Sequence, residues 1–348
     1  GAAAAGGAAC PGPQPGPGQQ QDLKIRALNN GFGAIVESPL AAERLLAEPA
    51  LGRALAQAWQ DYGGLLVLRG LVDLTPEQFA AVTSLFGELE PEIDASKLQF
   101  QVGGLPCIMR LGNTRDASGK LTALLARDQF LPEGASPQYC EATRKPMWHT
   151  DSTYRQKPPV GSALFCKKAP PEGSDTCFAD ARAAYDALDE ATRARLDGLE
   201  CVCSLAHHDA KIHANNNPDY PVLTEEQRLA NPPNRVPMVL VHPLTGRRAL
   251  YGMNSSTCEV LPKGQPVPQE RMDRYELEAL EDPSVQREWR SLIPHVTSDR
   301  FTVRWHWAEG DLVVWDNRCT MHCATGFDVE KHTREVWRTT LASDLPQT

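Results

Sequence analysis

The chain has 348 residues, 41% of them hydrophobic and 23% charged, with a net charge of −9 and a pI near 5.5. These are ordinary proportions for a globular protein, and the acidic balance argues against a broad basic surface for nucleic acid or anionic lipid. The longest apolar runs, such as Leu65-Leu66-Val67-Leu68, are far too short to span a bilayer.

Residues 1–21 hold six Gly, six Ala, four Pro, four Gln and Cys10, with no charge. With no large apolar side chain to bury, this tract is expected to be a disordered tail. Residues 22–348 are then expected to form a single domain. The ten cysteines form no paired C-x2-C zinc arrangement and no secretion signal is visible, so they read as mostly reduced, in a cytoplasmic protein.

Asp22 to Val36 reads as short extended segments around Gly31 and Gly33. Glu43 to Tyr62 carries helical apolar spacing and ends at Gly63-Gly64. Leu65 to Arg69 is a short buried strand. Thr75-Pro76-Glu77-Gln78 announces a helix running to about Phe86, with Thr as cap, Pro in the first turn and Gln reaching back. Residues 91–147 are irregular and expected to be a loop or lid insertion. Trp148 to Tyr154 and Gly161 to Lys167 look extended. Asp180 caps a helix through Leu188, Asp189 to Leu199 continues helical, and residues 206–237 read as a second loop or lid.

In the last third, Phe301, Val303, Trp305 and Trp307 alternate with Thr302, Arg304 and His306, the pattern of a strand with one buried face. Leu312 to Trp315 is a buried strand, and Thr333 to Leu341 is the last. The expected fold is therefore mainly β, a barrel or jelly roll with appended helices gathered in the N-terminal half.

Trp148-His149-Thr150-Asp151 carries an H-x-D unit. On an extended chain residues i and i+2 point the same way, so His149 and Asp151 can grip one ion together. His322, 173 residues downstream of His149, is the candidate third ligand. Two His and a carboxylate on one face of an octahedron leave three positions open, as in non-haem Fe(II) oxygenases. His207-His208-Asp209 is a second H-x-D, but it borders a polar segment where no strand would hold both side chains rigid. Arg334 and Arg338, four apart on the last strand, project to one face with Val336 between them. If that face lines the metal cavity, two permanent positive charges there need anionic partners.

Together with Tyr62-Gly63-Gly64-Leu65-Leu66-Val67-Leu68-Arg69-Gly70, Phe86-Gly87, Gly173-Ser174-Asp175-Thr176, His242-Pro243-Leu244-Thr245-Gly246-Arg247 and Gly310-Asp311-Leu312-Val313-Val314-Trp315-Asp316-Asn317-Arg318, these residues resemble the taurine dioxygenase/2,4-dichlorophenoxyacetate dioxygenase family from about Asp22 to Asp344. The resemblance implies a double-stranded β-helix core. It also implies an Fe(II)- and 2-oxoglutarate-dependent oxygenase that uses O2, is helped by ascorbate and forms succinate and CO2. By motif, His149, Asp151 and His322 would bind Fe(II), while Thr176 and Arg334 would hold the distal carboxylate of 2-oxoglutarate. Arg338 would hold the acidic group of the primary substrate.

Ala179-Asp180-x-Arg182-Ala183-Ala184-Tyr185 and the Asp316–Arg318 turn resemble the aryloxyalkanoate-cleaving branch, so a small anionic carboxylate is the favoured substrate. Glu90 and Glu92 stand where taurine-type members carry a His and would repel a sulfonate. Arg144-Lys145-Pro146 departs from the Asn usual before the Trp-His pair, and 129–146 looks like an insertion. A sulfonate or purine-type substrate is the alternative within the family, and a non-catalytic metal-binding jelly roll the alternative outside it. A protein substrate and a homo-oligomer both stay compatible with the sequence.

Four other side chains read as structural. His242 is a hydrogen-bonder at its turn, Asp316 orders the turn before His322, and Cys319 and Cys323 are packing residues.

Overall fold

The computed structural model describes residues 23–37, 40–93, 95–125, 130–131, 148–215 and 221–343. The expectations for 1–21, and for almost all of the 129–146 segment, lie outside these.

The N-terminal third opens with the hairpin β1 (Ile25–Asn29) and β2 (Phe32–Val36). The expected single helix is two, α1 (Ala42–Ala47) and α2 (Pro49–Asp61). Pro49 lacks an N–H to continue the first helix and instead opens the second. β3 (Leu65–Leu68) follows, then α3 (Pro76–Thr83), whose Thr75/Gln78 capping box is formed as the sequence predicts. The segment read as irregular contains β4 (Gln101–Val102), the eight-residue β5 (Leu105–Gly112) and β6 (Phe130–Leu131).

The middle holds β7 (Gly161–Lys168), β8 (Thr176–Asp180), α4 (Ala181–Asp186) and α5 (Glu190–Asp197). Asp180 caps α4 as read, and Asp189, read as part of a continuing helix, caps α5. Beyond β9 (Leu199–Cys203), the supposed second lid holds α6 (Leu205–Asn215), α7 (Glu225–Ala230) and β10 (Asn234–Pro237). Next come β11 (Val239–Val241), β12 (Arg248–Leu250), β13 (Thr257–Pro262), α8 (Gln269–Leu277) and α9 (Ile293–Val296). Helices are thus spread along the chain, not gathered at its start. β14 (Thr302–Trp305), β15 (Leu312–Asp316), β16 (Thr320–Thr325) and β17 (Glu335–Leu341) complete it.

An eight-stranded mixed sheet in the order β1-β2-β3-β15-β7-β17-β5-β4 is the frame, and a four-stranded sheet, β14-β8-β16-β6, packs on it. Strand alternation divides the frame into two faces. Leu65, Val67, Leu164, Cys166, Val313, Trp315 and Val336 face inward against Phe178, Val303 and Trp305 of the smaller sheet. Leu66, Leu68, Ala163, Phe165, Leu312 and Val314 face outward and are covered by Leu45, Leu55, Trp59, Phe79 and Val82 of the N-terminal helices. Burial on both faces is why Leu65–Leu68 and Leu312–Trp315 are continuous apolar runs rather than alternating ones.

The long return between β9 and β13 makes a third sheet, β10-β9-β13, around its own cluster with Trp289 and Tyr251. That cluster backs the outer face of β16 through Met321 and Cys323.

Where β5 meets β17, Gly112 sits at φ +137, and a Cβ there would lie 1.9 Å from the Arg334 carbonyl oxygen. Gly112→Ala is therefore expected to destabilise the fold by on the order of 3 kcal/mol, read as a fall in the thermal unfolding midpoint.

Candidate active site

His149 is not on a strand, as the sequence suggested. It forms an isolated bridge with His322 of β16, exchanging both backbone bonds at 2.9 and 3.0 Å. The chain then turns at once, with Ser152 at φ +51. Three side-chain and backbone clamps hold this short segment. Thr150 N donates to Met253 O at 2.6 Å, and Asn254 Nδ2 donates to Thr150 O at 2.7 Å. The Asn317 side chain grips both backbone groups of Asp151, accepting from its N–H at 2.8 Å and donating to its carbonyl at 3.0 Å.

The result brings the three predicted ligands together. His149 Nε2 lies 3.5 Å and His322 Nε2 3.7 Å from Asp151 Oδ1, and one donor atom from each of the three falls within 4.8 Å of the others. The two imidazole centroids are 4.3 Å apart. His322 is packed by Trp315 and Phe178, with centroids at 4.8 and 6.3 Å. Burial, aided by His149 and Arg338 and opposed by Asp151, pushes the His322 pKa down to about 3, so its ring is neutral at pH 7. Burial opposes ionisation of Asp151, but the Arg338 guanidinium and the two imidazoles outweigh it and hold the carboxyl well below the usual range. Neutral imidazole and ionised carboxylate are the states a divalent cation requires, so the donor set fits Fe(II).

The second H-x-D lies on α6. Residues two apart on a helix splay to different sides, and buried His207 bonds through Nδ1 to the Tyr275 carbonyl at 2.8 Å. The decoy fails, though through a helix rather than a loose loop.

Among the described residues one further cluster has metal-ligand chemistry: His242, Asp316 and Cys319. Its donors are already committed. Asp316 accepts from Arg318 at 2.9 and 2.6 Å and lies 3.0 Å from His242 Nε2, while burial keeps the Cys319 thiol protonated. His242 and Asp316 therefore order the turn, as read, and the turn aims Asn317 at Asp151.

Arg334 lies just before β17, not on it, and a register shift between Glu335 and Val336 breaks simple alternation. It is nonetheless buried at 6% exposure, close enough to inward-facing Cys166 for the two to interact electrostatically. Its guanidinium has no carboxylate partner among the described residues, and burial lowers its pKa to about 10. Arg338 is on β17 and faces inward like Val336. Its Nη2 donates to Asp151 Oδ2 at 2.7 Å and to Ser162 Oγ at 3.0 Å, while its buried Nε has no partner.

Thr176 is buried on β8, and the register Phe178↔His322 and Thr176↔Ala324 puts it on the same face as His322. Its Oγ1 accepts from Trp307 Nε1 at 3.0 Å, which leaves the hydroxyl hydrogen available to a second acceptor. Glu90 is paired with Arg155 at 2.6 Å, so it does not stand as an isolated negative charge against an anion. Sequence reasoning missed Asn317, Ser162 and Asn254 as holders of the site. Only Asn317, inside the quoted turn, carried a signal.

Two imidazoles and a carboxylate converging at the edge of a two-sheet core define a mononuclear non-haem metal centre of the oxygenase type. The family model described as Taurine catabolism dioxygenase TauD, TfdA family matches residues 24–340. The chain belongs to this family of Fe(II)- and 2-oxoglutarate-dependent dioxygenases, and His149, Asp151 and His322 are its candidate metal site. It is 31% identical over 281 residues to the alpha-ketoglutarate-dependent 2,4-dichlorophenoxyacetate dioxygenase of Burkholderia sp. (strain RASC), covering 80% of this chain and 82% of that protein. It is 30% identical over 322 residues to the (S)-phenoxypropionate/alpha-ketoglutarate-dioxygenase of Sphingobium herbicidovorans, covering 92% and 95%. Among solved structures it is similar to AAD-2 in complex with Mn(II) and N-oxalylglycine, with a TM-score of 0.65, 28% identity and coverage of 94% and 98%. A taurine dioxygenase from Burkholderia xenovorans gives a TM-score of 0.63 at 26% identity, with coverage of 93% and 92%.

Two outcomes follow from the clamps. Asn317→Ala is expected to weaken Mn(II) or Fe(II) binding by roughly 10–100-fold in a calorimetric titration, because Asp151 loses both backbone partners. Asp316 is depressed from 3.8 to about 2, since its bonds to Arg318 and His242 outweigh burial. Its contribution, about 2 kcal/mol, is therefore fully present above pH 5 and lost as pH falls through 4 toward 2. Denaturant unfolding across that range is expected to show this slope, and Asp316→Asn to remove it.

Proposed function

We propose that residues 22–348 form one catalytic domain with a double-stranded β-helix core, and that it hydroxylates a small anionic organic acid, an aryloxyalkanoate-like carboxylate being favoured. The observation that carries the reading is the buried, unpartnered Arg334 guanidinium on the cavity side of the frame that also presents Arg338 to the metal ligands. An uncompensated buried cation is costly unless an anion joins it. The names of the relatives, which act on 2,4-dichlorophenoxyacetate and (S)-phenoxypropionate, support an aryloxy acid as that class.

When bound, Fe(II) with 2-oxoglutarate and O2 supplies the oxidation, coupling decarboxylation to succinate and CO2 to hydroxylation of the substrate, with ascorbate as a helper. The chain positions and insulates. Arg334 would pair with the distal carboxylate of 2-oxoglutarate, and the Thr176 hydroxyl, whose oxygen accepts from Trp307 Nε1, would donate to the same group. Arg338 keeps Asp151 Oδ2 occupied, which leaves Oδ1 for the metal, and its spare donors meet the substrate's acid group. Trp315, Phe178 and Val303 keep the inner wall apolar, which strengthens each of these charge contacts. Hydroxylation at a carbon next to an ether oxygen would give a hemiacetal that collapses to a phenol and an oxoacid. Neither nucleic acid nor membrane is needed as a partner; no described helix is long and apolar enough to cross a bilayer.

Succinate formation with Fe(II), ascorbate and O2 across aryloxyacetates, sulfonates and purines tests this reading. Stimulation by aryloxy acids is expected; stimulation only by sulfonates or purines would replace the substrate class. His322→Ala is expected to abolish turnover, Arg334→Ala to raise the KM for 2-oxoglutarate by at least about tenfold, and Arg338→Ala to impair mainly use of the primary substrate. Full activity in any of the three would contradict its assigned role.

A further inference from the structure

β16 carries metal chemistry on one face and thiol chemistry on the other. His322 points into the cavity, while Cys323, its neighbour, points outward into the cluster of the third sheet. Directly across the ladder from Cys323 stands Cys177 of β8, itself next to Thr176. The two thiols interact with each other, Cys323 being fully buried and Cys177 half-buried.

The type of pairing follows from the neighbouring bonds. Thr325 N donates to Asp175 O at 2.9 Å and Ala181 N to Cys319 O at 3.1 Å. The Cys177/Cys323 pair shares their parity and is therefore a hydrogen-bonded pair, for which Cα atoms sit about 5.5 Å apart. That spacing lies within the range a disulfide accepts, about 4.4–6.8 Å, but Cβ atoms near 5 Å must close to about 4 Å. Bridging this pair draws β8 and β16 together beside His322 and Thr176.

We propose that Cys177 and Cys323 are a peroxide-sensitive dithiol whose closure to a disulfide displaces His322 and weakens the metal site. The half-buried Cys177 thiol attacks hydrogen peroxide, giving a sulfenic acid and one water. The Cys323 thiol then displaces the sulfenic hydroxyl as a second water, forming the S–S bond. Two thiols lose two electrons and two protons, and peroxide is reduced to two waters. Cys201, Cys203 and Cys258 are all fully buried and serve as internal controls.

The test uses the full chain loaded with Mn(II), a redox-quiet stand-in for Fe(II), exposed to hydrogen peroxide and then alkylated. Peptide mapping is expected to show a Cys177–Cys323 link with loss of two hydrogens from the intact mass, restored by dithiothreitol. Mn(II) affinity is expected to fall on the order of tenfold in step with the link. Cys177→Ser, and independently Cys323→Ala, should abolish both effects while leaving unoxidised metal binding intact. The proposal is overturned if no such link forms, if it forms with Mn(II) affinity unchanged, or if peroxide weakens metal binding equally in both variants. The linkage readout does not depend on the substrate or on turnover, so it stands or fails apart from the proposed function.

Discussion

Two backbone hydrogen bonds, exchanged between His149 and His322, hold the metal site together. They join chain segments 173 residues apart, and only one of them, β16, belongs to a sheet. Because the bonds are reciprocal, the two imidazoles leave the backbone side by side and in one direction, and the chain between His149 and the turn at Ser152 has room for a single further ligand. Asp151 fills that place. It is aimed by Asn317, whose amide satisfies both of its backbone groups, and Asn317 in turn leaves a loop locked by Asp316, Arg318 and His242. The geometry of three ligand atoms is thus fixed by a buried polar turn that touches none of them.

The same turn shows how the fold sorts its buried charges. Asp316 with Arg318 and Asp180 with Arg182 are closed pairs, each with short bidentate bonds and almost no exposure. Such pairs add rigidity more than stability, since desolvation offsets much of their attraction. Arg334 stands apart, equally buried and uncompensated. Arg338 stands between, one nitrogen on Asp151 and another without a partner. Charges that shape the scaffold are satisfied within it, and those that face the cavity are left short of partners. This contrast separates scaffold from binding residues more clearly than sequence position does.

Much of this was legible in the sequence where local rules decide. The Thr75/Gln78 box, the Asp180 cap and the alternation from Phe301 to Trp305 are local, and the structure bears them out. The ligand set was legible because H-x-D with a distant His is a demanding combination. Misses arose where tertiary packing overrides local pattern. Leu205–Asn215 reads as a polar loop, yet it is a helix whose buried His207 bonds through Nδ1 to the Tyr275 carbonyl and whose buried Lys211 donates to the Ser255 carbonyl. Leu105–Gly112 contains Pro106 and a charge, yet it is a strand because β17 pairs along it. The side-chain clamps on Thr150 and Asp151 come from residues 104 and 166 positions away, which no spacing rule reaches.

Strand β16 concentrates the consequences of this design. The strand presents His322 and Ala324 to the cavity, while Met321 and Cys323 knit the opposite face to the cluster of the third sheet. A strand buried on both faces cannot shift on one side alone, because its interior neighbours are close-packed. Any event that repacks the outer face, whether oxidation of a thiol or movement of the sheet carrying Cys201 and Cys203, is therefore transmitted to the His322 ring through its own backbone. By the same argument, a cation that fixes His322 is expected to restrain β16 and, through Met321, the cluster around Trp289 and Tyr251. Metal occupancy and the stability of that cluster are coupled through β16 and through Met253, whose carbonyl accepts from Thr150 N.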